Sequence, residues 1–159
     1  MIQIGKTNTL TILRQTPPGM FLGDDENEVR NPISEETSVG GSALAKYITR
    51  KVELNDPASA LKIYFLANRP AASDIKVYYK VAYHPDVDFE ALGWKEGQPD
   101  AEIPISDDPN NYLEIEYTIG DNVGELDGNF TAFAIKVVFI SSNSSQIPTL
   151  RDFRAVAVT

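Results

Sequence analysis

From residue 45 onward the chain is dominated by a period-two alternation of apolar and polar residues. In its clearest run Ile75, Val77, Tyr79, Val81 and Tyr83 share one parity, while Lys76, Tyr78 and Lys80 occupy the other. Successive strand side chains point to opposite faces, so this run predicts a strand with one buried and one wet face. Leu61, Ile63 and Phe65 alternate before a turn at Asn68-Arg69-Pro70, and Leu113, Ile115, Tyr117 and Ile119 alternate with Glu114, Glu116 and Thr118. The run Phe133, Ile135, Val137, Phe139 differs, because Ala134, Val138 and Ile140 on the opposite parity are apolar too. That pattern predicts a strand in the middle of a packed sheet. Further strands are expected over 45–54, where Ile48, Val52 and Leu54 share a parity, near 101–105, and over 151–158. Residues 84–98 read as irregular.

Roughly seven or eight short strands, and no amphipathic helix of about ten residues, predict an all-β fold: a β-sandwich of jelly-roll or immunoglobulin-like type. The N-terminus reads differently. Thr7 to Arg14 is β-branched and ends in the turn chemistry of Thr16-Pro17-Pro18-Gly19; Met20-Phe21-Leu22 returns before the acidic turn at residues 23–27, and Glu28-Val29-Arg30 offers a third short strand. Residues 31–42, with Pro32, several Ser and Thr, and Gly40-Gly41, read as a linker. The expected division is therefore an N-terminal β-arm and linker over 1–42 and a β-sandwich over 43–159. The arm's apolar residues are Ile2, Ile4, Leu10, Ile12, Leu13, Met20, Phe21 and Leu22. These are too few to bury a core of their own, which predicts docking on another subunit.

Composition narrows the function classes. With 159 residues, 42% hydrophobic and 23% charged, the chain fits one folded domain. A net charge of -9 would repel a phosphate backbone, so no nucleic-acid partner is expected. The absence of cysteine removes disulfides, thiolate metal sites and cysteine nucleophiles. Lys76, Lys80 and Lys136 interrupt the longest apolar runs, so no membrane-spanning segment is expected. Met1 to Lys6 lacks signal-peptide character, so any export is expected to need another route, such as host lysis.

Candidate chemistry is sparse. His84 is the sole histidine, and no nucleophile-elbow sequence accompanies it. Gly40-Gly41 lacks the lysine that follows a phosphate-cradling loop. Asp86, Asp88 and Glu90 have a spacing that could offer oxygens to a hard cation, but without the glycine and terminal glutamate of a calcium loop they read as solvated. No catalytic, cofactor-binding or metal-binding residue is assigned, and no enzymatic activity is expected. The candidate interface residues are Trp94, Tyr83, Met20, Phe21 and Leu22, because amphipathic rings and exposed apolar side chains suit contact with a protein or a sugar. For Trp94 the competing reading is a ring that covers a sandwich edge.

Two resemblances follow from longer stretches. Ala45-Lys46-Tyr47-Ile48-Thr49-Arg50-Lys51-Val52, Leu61-Lys62-Ile63-Tyr64, Asp74-Ile75-Lys76-Val77-Tyr78-Tyr79-Lys80, Phe133-Ala134-Ile135-Lys136-Val137, and the run from Ile147 to Ala157 stand in this order. Over residues ~43–159 the chain resembles a β-domain of virion structural proteins of contractile-tailed phages, notably those of marine cyanobacteria. That resemblance implies a tail- or baseplate-associated role in the virion, assembled in the host cytoplasm. It also implies other virion proteins as partners and homo-oligomers or repeated copies in a particle. The opening Met1 to Arg14, with Gly19-Met20-Phe21-Leu22, resembles the start of the virulence factor B family of RNA-binding proteins, which carries an alternative, an OB-like nucleic-acid-binding module. A third reading is a carbohydrate-binding sandwich that recognises a glycan or host receptor.

Overall fold

The computed structural model describes residues 35–38, 41, 43, 45–120 and 123–159. The strands expected within residues 1–30, and with them Met20, Phe21 and Leu22, lie outside the described residues.

Among the described residues eight strands follow one another: β1 (Lys46–Ile48), β2 (Val52–Ala58), β3 (Ala60–Asn68), β4 (Ser73–Ala82), β5 (Lys95–Glu96), β6 (Leu113–Ile119), β7 (Phe130–Ser141) and β8 (Thr149–Val158). They form two antiparallel sheets packed as a β-sandwich. In the larger sheet β7 is flanked by β4 on one side and by β1 and β2, end to end, on the other, with β5 beyond β4. The smaller sheet has the order β6-β3-β8. The chain stays in one sheet from β1 to β2 and from β4 to β5, and every other connection crosses the sandwich.

The alternating parities define the core between the sheets. Leu61, Ile63 and Phe65 from β3, and Ile115, Tyr117 and Ile119 from β6, face Ile75, Val77, Tyr79, Phe133, Ile135 and Val137 from β4 and β7. The β4–β7 ladder is the backbone of the fold, running from Ser73 opposite Ser141 to Ala82 opposite Ala132. Both faces of β7 are buried, as its doubly apolar sequence predicts.

Four expectations need correction. The strand expected over 45–54 is two strands. Between them the buried Thr49 donates its N–H to Ile135 O (2.9 Å), and its hydroxyl accepts from Ile135 N (2.9 Å), so a side chain replaces the ladder at the break. No strand forms near 101–105. There the Arg69 guanidinium donates to Ile103 O and Ser106 N donates to Arg69 O, which holds the segment as irregular chain, while the short β5 forms within 84–98 instead. The second face of β4 is not wet, since Tyr78, Lys80 and Ala82 are all buried. Finally, residues 35–38 and 41, which the sequence assigns to a linker, pack on the sandwich through a buried Glu35.

Ile135 has 0% exposure and sits in the central strand of the core. Ile135→Ala is expected to cost about 2–5 kcal/mol, read from the denaturant midpoint at unchanged slope; a loss below about 0.5 kcal/mol would contradict this assignment of the inner face.

Candidate functional site

The outer face of the larger sheet carries a second apolar layer. Tyr78 and Ala82 of β4 and Ala132, Ala134 and Val138 of β7 lie beneath Phe89 and Trp94 from the β4–β5 connection. Phe89 begins a single 3₁₀ turn, capped by Asp88, whose carboxylate accepts from Glu90 N. Within this layer sits Lys136, with no solvent exposure, directly across the ladder from Tyr78. A buried ammonium requires an anion and hydrogen-bond acceptors. Glu35 supplies both: Lys136 Nζ lies 3.0 Å from Glu35 Oε2 and also donates to the Glu35 backbone carbonyl. The other carboxylate oxygen accepts from Ala43 N at 2.6 Å, and Lys46 Nζ adds a second charge at 3.7 Å.

The remaining contacts alternate cations with rings. Lys136 Nζ is 4.7 Å from the Tyr78 ring centroid and 5.0 Å from that of Trp94; Lys80 Nζ is 4.8 Å from Trp94 and 5.1 Å from Phe89; Lys51 Nζ is 5.4 Å from the outer side of the row, at Phe89. Each such contact is worth about 0.5–2 kcal/mol, most where water is excluded. Two glycines make the packing fit. Gly41 has φ +69°, and a Cβ there would lie 2.5 Å from the Glu35 carboxyl carbon. A Cβ at Gly93 would lie 2.9 Å from Glu36 O, the carbonyl that accepts the Trp94 N–H at 2.7 Å.

Ionisation follows from these contacts. Burial opposes the Glu35 carboxylate, but the Ala43 N–H and the hydrogen bond and charge of Lys136 outweigh it, so its pKa lies below the ordinary value. Burial lowers the pKa of Lys136, with Glu35 pulling the other way. The Tyr78 hydroxyl is pushed up to about 12, first by burial and then by the charge of Glu96.

The two flanks of the sandwich differ. On the β5/β6 flank, residues 97–106 bridge the sheets: Gly97 N donates to Val77 O of β4, and Asp100 N donates to Glu116 O of β6. The Asp100 carboxylate also takes the N–H and hydroxyl of Thr118, both at 2.7 Å, and so covers the β6 edge. A shallow polar groove of about 220 Å³ remains there, lined by Arg69, Asp74, Lys76, Glu96, Glu102 and Tyr117. On the opposite flank, where Tyr47 of β1 meets Phe153 of β8 edge-on at 5.8 Å, no such bridge exists among the described residues. There the outer edge of β8 has no ladder partner among the described residues, and Tyr47, Val52, Leu54 and Ala157 only partly cover the core. The β8 strand carries one bulge. Arg151 stands opposite Leu66 and Arg154 opposite Tyr64, with Asp152 at φ 55° between them.

Trp94, a candidate interface residue, is 5% exposed and belongs to the chain's own outer layer, where it covers the sheet rather than presenting its ring to a partner. Tyr83 is half-buried against the main core, and its hydroxyl accepts from Asp127 N at 3.0 Å. His84 is exposed in the connection after β4. Asp88 acts as a cap, and among the described residues no three His, Cys, Asp or Glu side chains converge on a cation position. Sequence reasoning missed Glu35 and Lys136. A lysine inside the apolar run from Ala134 to Val138 was the available signal for one; nothing local marks the other.

No family model matches the chain, and no curated protein matches it. Among solved structures, a chain from the structure of infectious bursal disease virus, Gx strain, is similar over 74% of this chain at 9% identity and a TM-score of 0.37. The chain spans about a third of that neighbour's length, 34%.

Removing the carboxylate while keeping its shape isolates the pair. Glu35→Gln leaves the Lys136 ammonium buried without its anion, and is expected to cost about 3 kcal/mol at pH 7. Because the folded pKa of Glu35 lies below its ordinary 4.5, its contribution is complete above that value and is lost as pH falls through the lower folded value. The stability gap between wild type and variant should therefore narrow in denaturant titrations carried from pH 7 to below pH 4; an unchanged gap would contradict the ionised pair.

Proposed function

We propose that the chain is a structural subunit of a phage virion, a tail or baseplate component present in repeated copies and acting through protein contacts rather than catalysis. The observation that carries this reading is the asymmetry of the flanks. One is bridged by residues 97–106, whereas the other offers a strand edge with no ladder partner among the described residues, beside a half-covered apolar rim. Exposed edges of this kind pair with other chains unless something blocks them. The charged groups support it too, since Lys46 and Lys136 face Glu35, and Lys80 and Lys136 lie over the rings of Phe89, Trp94 and Tyr78. The sequence blocks that resemble phage virion proteins fall on β1, β3, β4, β7 and β8, the strands that frame both sheets and the open flank.

A glycan- or receptor-binding module is the second reading, and the polar groove above Tyr117 is the observation that favours it. Burial, and after it the charges of Asp74 and Glu96, push the pKa of the Tyr117 hydroxyl up. Glycan-array binding that disappears on Tyr117→Phe would support that reading over the first.

In the virion reading, quantitative mass spectrometry of purified particles should find the chain at a fixed ratio to the other virion proteins, unchanged by further purification. Its consistent absence from particles that remain infectious would overturn the proposal.

A further inference from the structure

We propose that the open edge of β8 takes residues 7–14 of a second copy of this chain as an added antiparallel strand; this deepens the assembly reading and rests on it. The edge is singled out by elimination among the described residues. The β6 edge is occupied by Asp100 and its backbone. The β2 edge contains Pro57, which has no N–H to donate, together with the exposed Glu53, Asn55 and Asp56. The β5 strand has two residues and lies on the bridged flank. Among the described residues, only β8 combines length, a regular stretch of edge from Phe153 to Val158 and an adjoining apolar rim.

The rim says what the added strand must carry. Beside β8, on the flank where Tyr47 meets Phe153, Tyr47, Val52 and Leu54 of β1 and β2 are only partly buried against the core. A fourth strand would place every second side chain against these residues and against the partly buried Ala157. Beyond the bulge at Asp152, the stretch from Phe153 to Val158 is regular and asks for a partner of about six residues.

Residues 7–14 meet that requirement. The row Thr-Asn-Thr-Leu-Thr-Ile-Leu-Arg places Leu10 and Ile12 on one parity and Thr9 and Thr11 on the other. Leu10 and Ile12 suit the rim, and the threonines suit the outer face, where Arg154 and Val156 of β8 stand. The strap, the segment that begins at Glu35, fixes the starting point, because Glu35 is held at Lys136 on the far face of the larger sheet. Residues 15–34 span up to about 65 Å, enough to reach a neighbour. Identical contacts would form with a copy's own β8 or with a neighbour's. In a particle of repeated copies the neighbour's edge is held at high local concentration, and each copy both gives and receives a strand.

The chain has no cysteine, so engineered ones report pairing without background. Thr11→Cys and Val156→Cys proteins, purified separately and mixed under mild oxidation, are expected to give a disulfide-linked dimer containing one of each; Thr9→Cys and Arg154→Cys cover the neighbouring register. A double variant that closes on itself as a monomer, with no mixed dimer, would overturn the second copy as donor. No disulfide at any of these positions would overturn the edge itself. Deleting residues 1–14 should abolish oligomers in light scattering while far-ultraviolet circular dichroism stays β-rich, and persistence of the oligomer would count against the proposal. Particle content is read separately: absence of cross-links with the chain still in virions would overturn this contact alone, and cross-links with the chain absent from virions would overturn the virion reading alone.

Discussion

A charge in the middle of a doubly covered strand constrains everything built on the outer face of the larger sheet. The Lys136 ammonium emerges from β7 between Tyr78 of β4 and Ile48 of β1, its two ladder neighbours. Its residue is fully buried, so it reaches no water. A lone ammonium there would cost several kcal/mol, and the sequence meets the requirement with one carboxylate 101 residues away. Fixing Glu35 fixes its chain: Gly41 must lack a side chain, Glu36 O must meet Trp94 N, and the Trp94 ring must lie within reach of two ammonium groups. A buried ion pair adds little net stability compared with an apolar layer of the same volume. Its effect here is on position. Apolar residues alone would let the strap slide over Val138 and Ala134, whereas a single acceptor site holds it in one register.

How much of this was legible in the sequence depended on the range of the interaction that decided each element. Parity in β3, β4, β6 and β7 is local, and it identified the inner face residue by residue: Ile63, Val77, Tyr117 and Ile135 are all buried where the alternation places them. The second face of β4 was misread because Lys76, Tyr78 and Lys80 look solvated in isolation. Lys76 does reach Glu96 at the surface, but Lys80 is covered by rings supplied from residues 89 and 94. The break at Thr49 was invisible for a related reason. A β-branched residue within an alternating run reads as strand, and only the Ile135 backbone, 86 residues away, turns its hydroxyl into a substitute ladder rung.

The turn chemistry shows the same division. Asn68 was read as the end of a strand, which it is, but its role is larger. Its buried Nδ2 reaches Asp108 O at 2.7 Å and Asn111 O at 2.8 Å, so it ties the end of β3 to the approach of β6. Asp100 does comparable work from a segment with no regular structure, using both carboxylate oxygens on Thr118. Neither residue type announces such a task, because asparagine and aspartate are equally at home in solvated turns. These polar clamps close the β5/β6 flank without strands, which explains why the segment expected to be a strand near 101–105 stays irregular.

The Glu35–Lys136 pair and the β8 flank are linked by a short series of contacts. Ala43 donates its N–H to Glu35, Ala45 O, just before β1, accepts the Phe139 N–H, and Lys46 pairs with Val138. One residue further on, Tyr47 projects through the sheet and packs edge-on against Phe153 of β8. Phe153 in turn stacks at 6.4 Å on Phe65, whose backbone faces the β8 bulge. With both ends of this short path held, one by Glu35 and Lys136 and the other by the aromatic contact with Phe153, the rim keeps a fixed shape. Preorganisation of this kind lowers the ordering cost of taking up a strand, so the interior ion pair and the exposed edge belong to one arrangement.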